Sequence, residues 1–243
     1  MTIYYIDIKQ CPNCDCQFAV SDIASCNTID AKFYTDGFVE GPMYDEGSAF
    51  LICPSCFEFL WYEDIPTKGS MNSGEYFNNS ENTLPLARPA EGFDYEHALY
   101  KAPWKNKTQE EYIRIRAWWS FNHVYREGSA GDSGIFSAFL SPTNAHNEES
   151  TKDFNLSPEQ EKNLRSLLQL LDTNDSNRSI MKAEILRELG EFDECLKMIN
   201  QEFDDAYLTA VDTIEKLAKS GIRRVEGIER NEEQPSQPLD TDE

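Results

Sequence analysis

The 243-residue chain predicts an α+β fold in which a small β domain precedes a mostly α-helical one. Three observations carry that prediction. Two Cys-Pro-x-Cys pairs stand in the first quarter; short aromatic and β-branched runs broken by Gly and Pro fill residues 1–66; and hydrophobic periodicity turns helical from about residue 94. A chain of this length buries a full apolar core without disulfide help.

Within residues 1–66 the runs IYYIDI, AKFYTDGF, SAFLI and FEFLWYEDI read as strands between turns. Residues 67–93 have the Gly, Ser, Asn and Pro content of a long loop or linker. FDYEHALYKAPW predicts a short helix that Pro103 stops. TQEEYIRIRAWWSFNHVYREG predicts a longer one, with Thr108 and Glu111 at capping-box spacing and Gly128 at its end. Residues 128–156 read as a loop. Ser157, Pro158 and Gln160 then announce a helix by N-cap, first-turn proline and capping-box partner, with Leu164, Leu167, Leu168 and Leu171 as its buried stripe. Helices are expected at Arg178 to Leu189, Phe192 to Gln201 and Asp204 to Ser220. The predicted domains are therefore 1–66, a linker at 67–93, a helical domain at 94–225 and a disordered acidic tail at 226–243.

The net charge is -22. Residues 1–66 carry eleven Asp and Glu against Lys9 and Lys32 alone, and residues 151–243 carry twenty-two acids against twelve bases. Nucleic-acid binding draws its affinity from Lys and Arg displacing phosphate counterions, so this charge disfavours nucleic acid as a partner and favours a basic protein. Acidity that serves solubility alone is the plainer reading of the same numbers. No secretory signal is visible at MTIYYIDIKQ and no stretch reaches the roughly 18 apolar residues of a membrane span, so a cytoplasmic protein with no membrane partner is expected. In that compartment thiols stay reduced, and paired cysteines are better read as metal ligands than as disulfides.

Cys11-Pro-Asn-Cys14 and Cys53-Pro-Ser-Cys56 can supply four thiolates to one structural zinc ion. Each knuckle turns the chain so that its two sulfurs converge, which is why two residues intervene. A thioredoxin-like redox pair would need one pair in a strand–helix context, whereas each pair here is followed by strand-like sequence. Four thiolates also leave no open position for a catalytic water. Of the remaining cysteines, Cys16 is expected under the sheet, Cys26 is left over, and Cys195 packs inside a helix.

The two knuckles resemble zinc ribbons of the rubredoxin-like type over Cys11, Cys14, Cys53, Cys56 and the adjoining strands, about a quarter of the chain. Such ribbons usually place Gly after the second cysteine; here Asp15 and Phe57 stand there, and Phe tolerates a left-handed backbone poorly, so the second knuckle is expected to be distorted. AEILRELGEFDECLKMI resembles half of a tetratricopeptide repeat, with Ala183 on the first helix, Gly190 and Phe192 at the turn, and Cys195 where the repeat has Ala. One copy is visible, so the helical part is repeat-like and not a solenoid. The order of these parts is similar to bacterial proteins in which a zinc ribbon precedes such helices. That resemblance implies a fold and no activity.

No catalytic motif surrounds His97, His123 or His146, and Gly128, Gly131 and Gly134 lack the Lys of a P-loop. DTNDSN begins like a calcium loop, but Asn177 and Ala183 stand where Gly and Glu are required. Between Lys101 and Arg126 six bases interleave with Trp104, Trp118 and Trp119, a mixture that could anchor a protein or stack bases of a single strand. An amphipathic helix with an aromatic core face is the plainer reading. The preferred class is thus a non-catalytic, cytoplasmic protein-binding module stapled by zinc, an adaptor or an immunity-type inhibitor of a basic partner. Asp36, Glu40, Asp45, Glu46, Trp104, Trp118 and Trp119 are its candidate contacts. A nucleic-acid-associated ribbon using residues 101–126, and an enzyme with an unrecognised site, are the alternatives.

Overall fold

A computed structural model of the chain describes residues 4–23, 26–42, 44, 47, 49–78, 84–126, 154–172 and 175–229. In chain order the first elements are β1 (Tyr4–Gln10), β2 (Gln17–Ile23), β3 (Lys32–Tyr34), β4 (Val39–Glu40), β5 (Phe50–Ile52), β6 (Phe59–Trp61), β7 (Thr67–Asn72), α1 (Ser73–Asn78) and β8 (Arg88–Pro89). They are followed by α2 (Phe93–Lys101), α3 (Lys107–Asn122), α4 (Pro158–Leu170), α5 (Ser176–Leu189), α6 (Phe192–Ile199), α7 (Leu208–Lys219) and β9 (Gly227–Ile228). Small antiparallel sheets followed by helices make the fold α+β. Among the described residues no helix is long and apolar enough to cross a membrane. The described residues fall into two compact units, one made of those within 4–32, 39–124 and 155–170, the other of those within 33–38, 125–126, 154 and 171–229.

In the first unit, β1 is the centre of a sheet ordered β2-β1-β7, antiparallel throughout. Side chains alternate across a strand, and both faces of this sheet are covered. Ile6 and Ile8 pack with Ala19 on one face, while Phe18 and Val20 join Cys11, Leu51, Cys53 and Leu60 on the other. The second sheet, β6-β5-β8, follows the same rule. Leu51 and Leu60, paired in register, point to the cysteines, and Phe50 and Trp61, also paired, point to Tyr95, Ala98, Ile113 and Ala117 of α2 and α3. The β5–β6 hairpin therefore divides two apolar cores.

Residues 67–93, expected as a linker, instead supply β7, α1 and β8. Tertiary pairing overrides their Gly and Ser content, because β1 offers β7 a ladder from Tyr5↔Asn72 to Ile8↔Gly69. Lys9 is buried at the same junction, donating to Thr67 Oγ1 at 2.9 Å with its ammonium 3.8 Å from the Tyr62 ring centroid.

The α3 helix begins earlier than the Thr108/Glu111 spacing suggests. Asn106 is its N-cap, accepting from Gln109 N–H at 2.9 Å, and the Gln109 side chain accepts from Lys105 N–H at 2.7 Å. Glu111 is buried instead. The α4 capping box forms as expected: Gln160 N–H donates to Ser157 Oγ at 3.2 Å and Ser157 N–H to Gln160 Oε1 at 2.7 Å. Asn163 of α4 is tied to α3, donating to the Arg114 carbonyl at 2.9 Å and accepting from its guanidinium at 3.2 Å.

The second unit holds α5, α6 and α7. Asp175 caps α5 at its start, and Gly190, at φ 82°, ends it in a left-handed turn before α6. Ala183 and Cys195 are fully buried, and burial raises the Cys195 thiol to about 12. The charged pair Glu184 and Arg187 is also fully buried. Thr35 donates to Glu184 Oε1 at 2.5 Å, Arg187 Nε donates to Glu184 Oε2 at 2.7 Å, and its terminal nitrogens donate to the carbonyls of Ile222 at 2.5 Å and Arg224 at 2.9 Å. These bonds hold the chain after α7 against α5. Residues 226–229 are ordered into this unit, where Phe33 pairs Ile228; the rest of the expected tail lies outside the described residues, as does most of 128–156.

Candidate metal centre

Both knuckles are tight turns built the same way. Asp15 N–H donates to the Cys11 carbonyl at 3.0 Å and Cys11 N–H to the Cys16 carbonyl at 2.9 Å; Phe57 N–H donates to the Cys53 carbonyl at 3.1 Å and Cys53 N–H to the Glu58 carbonyl at 3.0 Å. Pro12 and Pro54 fix φ one residue into each turn. Asn13 N–H and Ser55 N–H each point to the preceding cysteine sulfur, Cys11 and Cys53, at 3.4 Å, the charge-stabilising donors a thiolate calls for. Asp15 and Phe57 take φ of 58° and 59°. The distortion expected of the second knuckle is absent: Phe57 accepts the left-handed conformation that its position dictates, at a cost of about 1–2 kcal/mol.

The two turns meet. Sγ of Cys11 lies 3.8 Å from Sγ of Cys56, Sγ of Cys14 lies 3.7 Å from Sγ of Cys53, and all four sulfurs fall within 4.8 Å of one another. A tetrahedral ion with metal–sulfur bonds of about 2.3 Å demands sulfur–sulfur edges of about 3.8 Å. A disulfide needs about 2.05 Å, and all four cysteines are free. The quartet therefore fits one metal ion held by four thiolates, with no protein position left open. Among the described residues it is the one cluster of His, Cys, Asp or Glu that could hold a metal.

The centre stands at the end of a packed core. Cys11 and Cys53 are buried against Phe18, Val20, Leu51, Leu60 and Ile65, whereas Cys14 is exposed and Cys56 half-buried. Burial lifts the Cys11 thiol to about 12, while the N–H of Cys16, aided by the neighbouring thiols, lowers Cys14 to about 7. Loading a cation must expel protons from the buried side. Cys16 is half-buried outside the quartet, its thiol donating to the Gln17 carbonyl at 3.4 Å, and Cys26 is exposed.

The candidate partner contacts fare differently. Asp36 is 0% exposed and paired to Arg126 in the second unit, so it offers nothing to a partner. Its sequence context, a Gly-flanked turn, hid the cation that arrives from ninety residues away. Glu40 is exposed; Asp45 and Glu46 lie outside the described residues. Trp118 is buried and thereby corrected to a core residue, while Trp104 and Trp119 are half-buried. Arg114 lies over the Trp104 ring at 5.3 Å, and Arg116 lies over Trp119 at 4.9 Å and Tyr112 at 5.0 Å.

Antiparallel sheets with a tetrathiolate-competent centre, followed by helices, define the class of this chain. Comparison with family models, with curated proteins and with solved structures returns no match.

Proposed function

We propose that the chain is a non-catalytic protein-binding module stapled by one structural zinc ion on Cys11, Cys14, Cys53 and Cys56. The observation that carries this reading is the closed quartet: four thiolates saturate a tetrahedral cation, which then stabilises the fold and activates no water. Tetrahedral all-sulfur sites suit zinc or iron, and redox-inert zinc is the ion for a centre that serves only the fold. The ribbon-like knuckles and the α5–α6 pair, with small buried Ala183 and Cys195 where a tetratricopeptide hairpin packs, support a scaffold that presents surface.

The partner of this cytoplasmic module is a basic protein, bound either in an adaptor role or as the target of an immunity-type inhibitor. The charge of -22 supports it, since it attracts cationic surfaces and repels polyanions. The aromatic faces of residues 101–126 are in part covered by Arg114 and Arg116, which leaves less room for base stacking.

Elemental analysis of full-length protein tests the first half: one zinc per chain, with four sulfur neighbours by X-ray absorption, is expected, and iron or a mixed oxygen–sulfur shell overturns it. For the second half, a basic protein should co-purify from the native cell in a salt-sensitive complex. Tight binding of single-stranded RNA, weakening steeply with salt, overturns it.

A further inference from the structure

Phe57 is 75% exposed and is the one aromatic residue at positive φ among the described residues. A bulky side chain in the left-handed region is strained, and an exposed aromatic ring recovers nothing for it by burial. The first knuckle provides the comparison. At the equivalent position it carries Asp15, a residue that tolerates φ 58° and whose carbonyl and side chain accept from Gln10 at 3.4 Å. Two knuckles of one backbone geometry thus close with different residues, and the second uses the costlier one. Strain held at an exposed site points to use outside the free molecule.

The surroundings of Phe57 indicate what covers it. Pro12, Asn13, Cys14, Asp15, Ser55 and Glu58 are exposed in the same two turns. The segments 11–16 and 53–58 hold two acids and no base, and a divalent ion with four thiolates adds two further negative charges. We propose that the knuckle tip is the docking surface of the module, with Phe57 as an aromatic anchor entering an apolar pocket that the basic protein partner rims with Lys or Arg. This rests on the protein-binding reading above and adds the surface and the pocket chemistry. Large aromatic anchors ringed by polar contacts are the residues on which interface affinity concentrates, and the acidic rim supplies steering and salt sensitivity.

The test places a photo-crosslinking benzoylphenylalanine at position 57 of the full-length chain in the native cell. A control chain carries it at Tyr100, an equally exposed aromatic residue of the same unit at 74%. The crosslinked protein is identified, purified, and titrated against wild type, Phe57→Gly and Glu58→Lys at low and high salt. We expect a basic polypeptide crosslinked at 57 and not at 100, bound about 30-fold more weakly by Phe57→Gly and more weakly by Glu58→Lys, with a melting temperature for Phe57→Gly equal to or above wild type. A partner that binds Phe57→Gly as tightly as wild type overturns the anchor and leaves the module standing. A fall in melting temperature on Phe57→Gly also overturns it, because Phe57 would then serve the fold. Crosslinking to nucleic acid in place of protein overturns both readings.

Discussion

Asp15 and Phe57, forty-two residues apart in the chain, occupy one backbone position in two separate turns, at φ 58° and 59°, and the turns meet where Cys14 Sγ lies 3.7 Å from Cys53 Sγ. Identical conformations from such different side chains show that the turn, and not the residue, sets the angle. Each N–H at this position must reach the carbonyl of the first cysteine, at 3.0 and 3.1 Å, while the sulfurs converge.

Relief of that strain is measurable. Phe57→Gly should raise the unfolding free energy by about 1 kcal/mol, and Asp15→Gly should change it by less than about 0.5 kcal/mol. Phe57→Ala, which keeps a Cβ at positive φ, should gain less than Phe57→Gly. Thermal unfolding of the three variants at one zinc concentration decides it.

Withdrawing the proposed zinc ion should unfold the sheets of the first unit. Structural zinc contributes about 10–16 kcal/mol of apparent binding energy in small domains, and Cys11 and Cys53 top the core made by Phe18, Val20, Leu51 and Leu60. Cys53→Ser should abolish stoichiometric binding and lower stability by several kcal/mol, roughly the loss of a structural site. Cys16→Ser should leave metal content at one per chain, as Cys16 stands outside the quartet. Affinity should fall as pH falls, because protons compete for the thiolates; chelator competition followed by mass spectrometry reads all three.

Buried charge in the second unit makes a separate prediction. Glu184→Gln leaves Arg187 fully buried beside a neutral amide, and loss of one partner of such a pair costs about 3–5 kcal/mol. Thr35→Val removes one bond to the same carboxylate and should cost about 1–2 kcal/mol. The two effects should be non-additive in a double-mutant cycle followed by denaturant unfolding.

Glu96 provides a pH signature. Burial raises its carboxyl above the ordinary 4.5, opposed in part by the Ser120 hydroxyl that donates to it at 2.7 Å. A raised folded-state value means the folded protein holds the proton more tightly. Its contribution is fully present below pH 4.5 and is lost as pH rises through the raised value. Glu96→Gln keeps a hydrogen-bond acceptor without the titration, so its stability relative to wild type should increase as pH rises across that window. Paired urea titrations at several pH values show the difference.

The two cysteine knuckles that could hold a metal were legible because two intervening residues and a proline in each pair prescribe a local turn, and local turns need no knowledge of the rest of the chain. The same holds for the Ser157 capping box and the Gly190 stop. What tertiary structure alone decided is what long-range partners decide. The ladder of β1 drew residues 67–72 into a sheet against their composition, Arg126 took Asp36 out of solvent, and Trp118 turned inward while Trp119 stayed half-buried. Local propensity differs between conformations by a few tenths of a kcal/mol to about 1 per residue, and a buried ring or ion pair outweighs it. The sequence by itself therefore determined where the turns and the thiolates are, and the packing of distant segments determined which acids and aromatics face water.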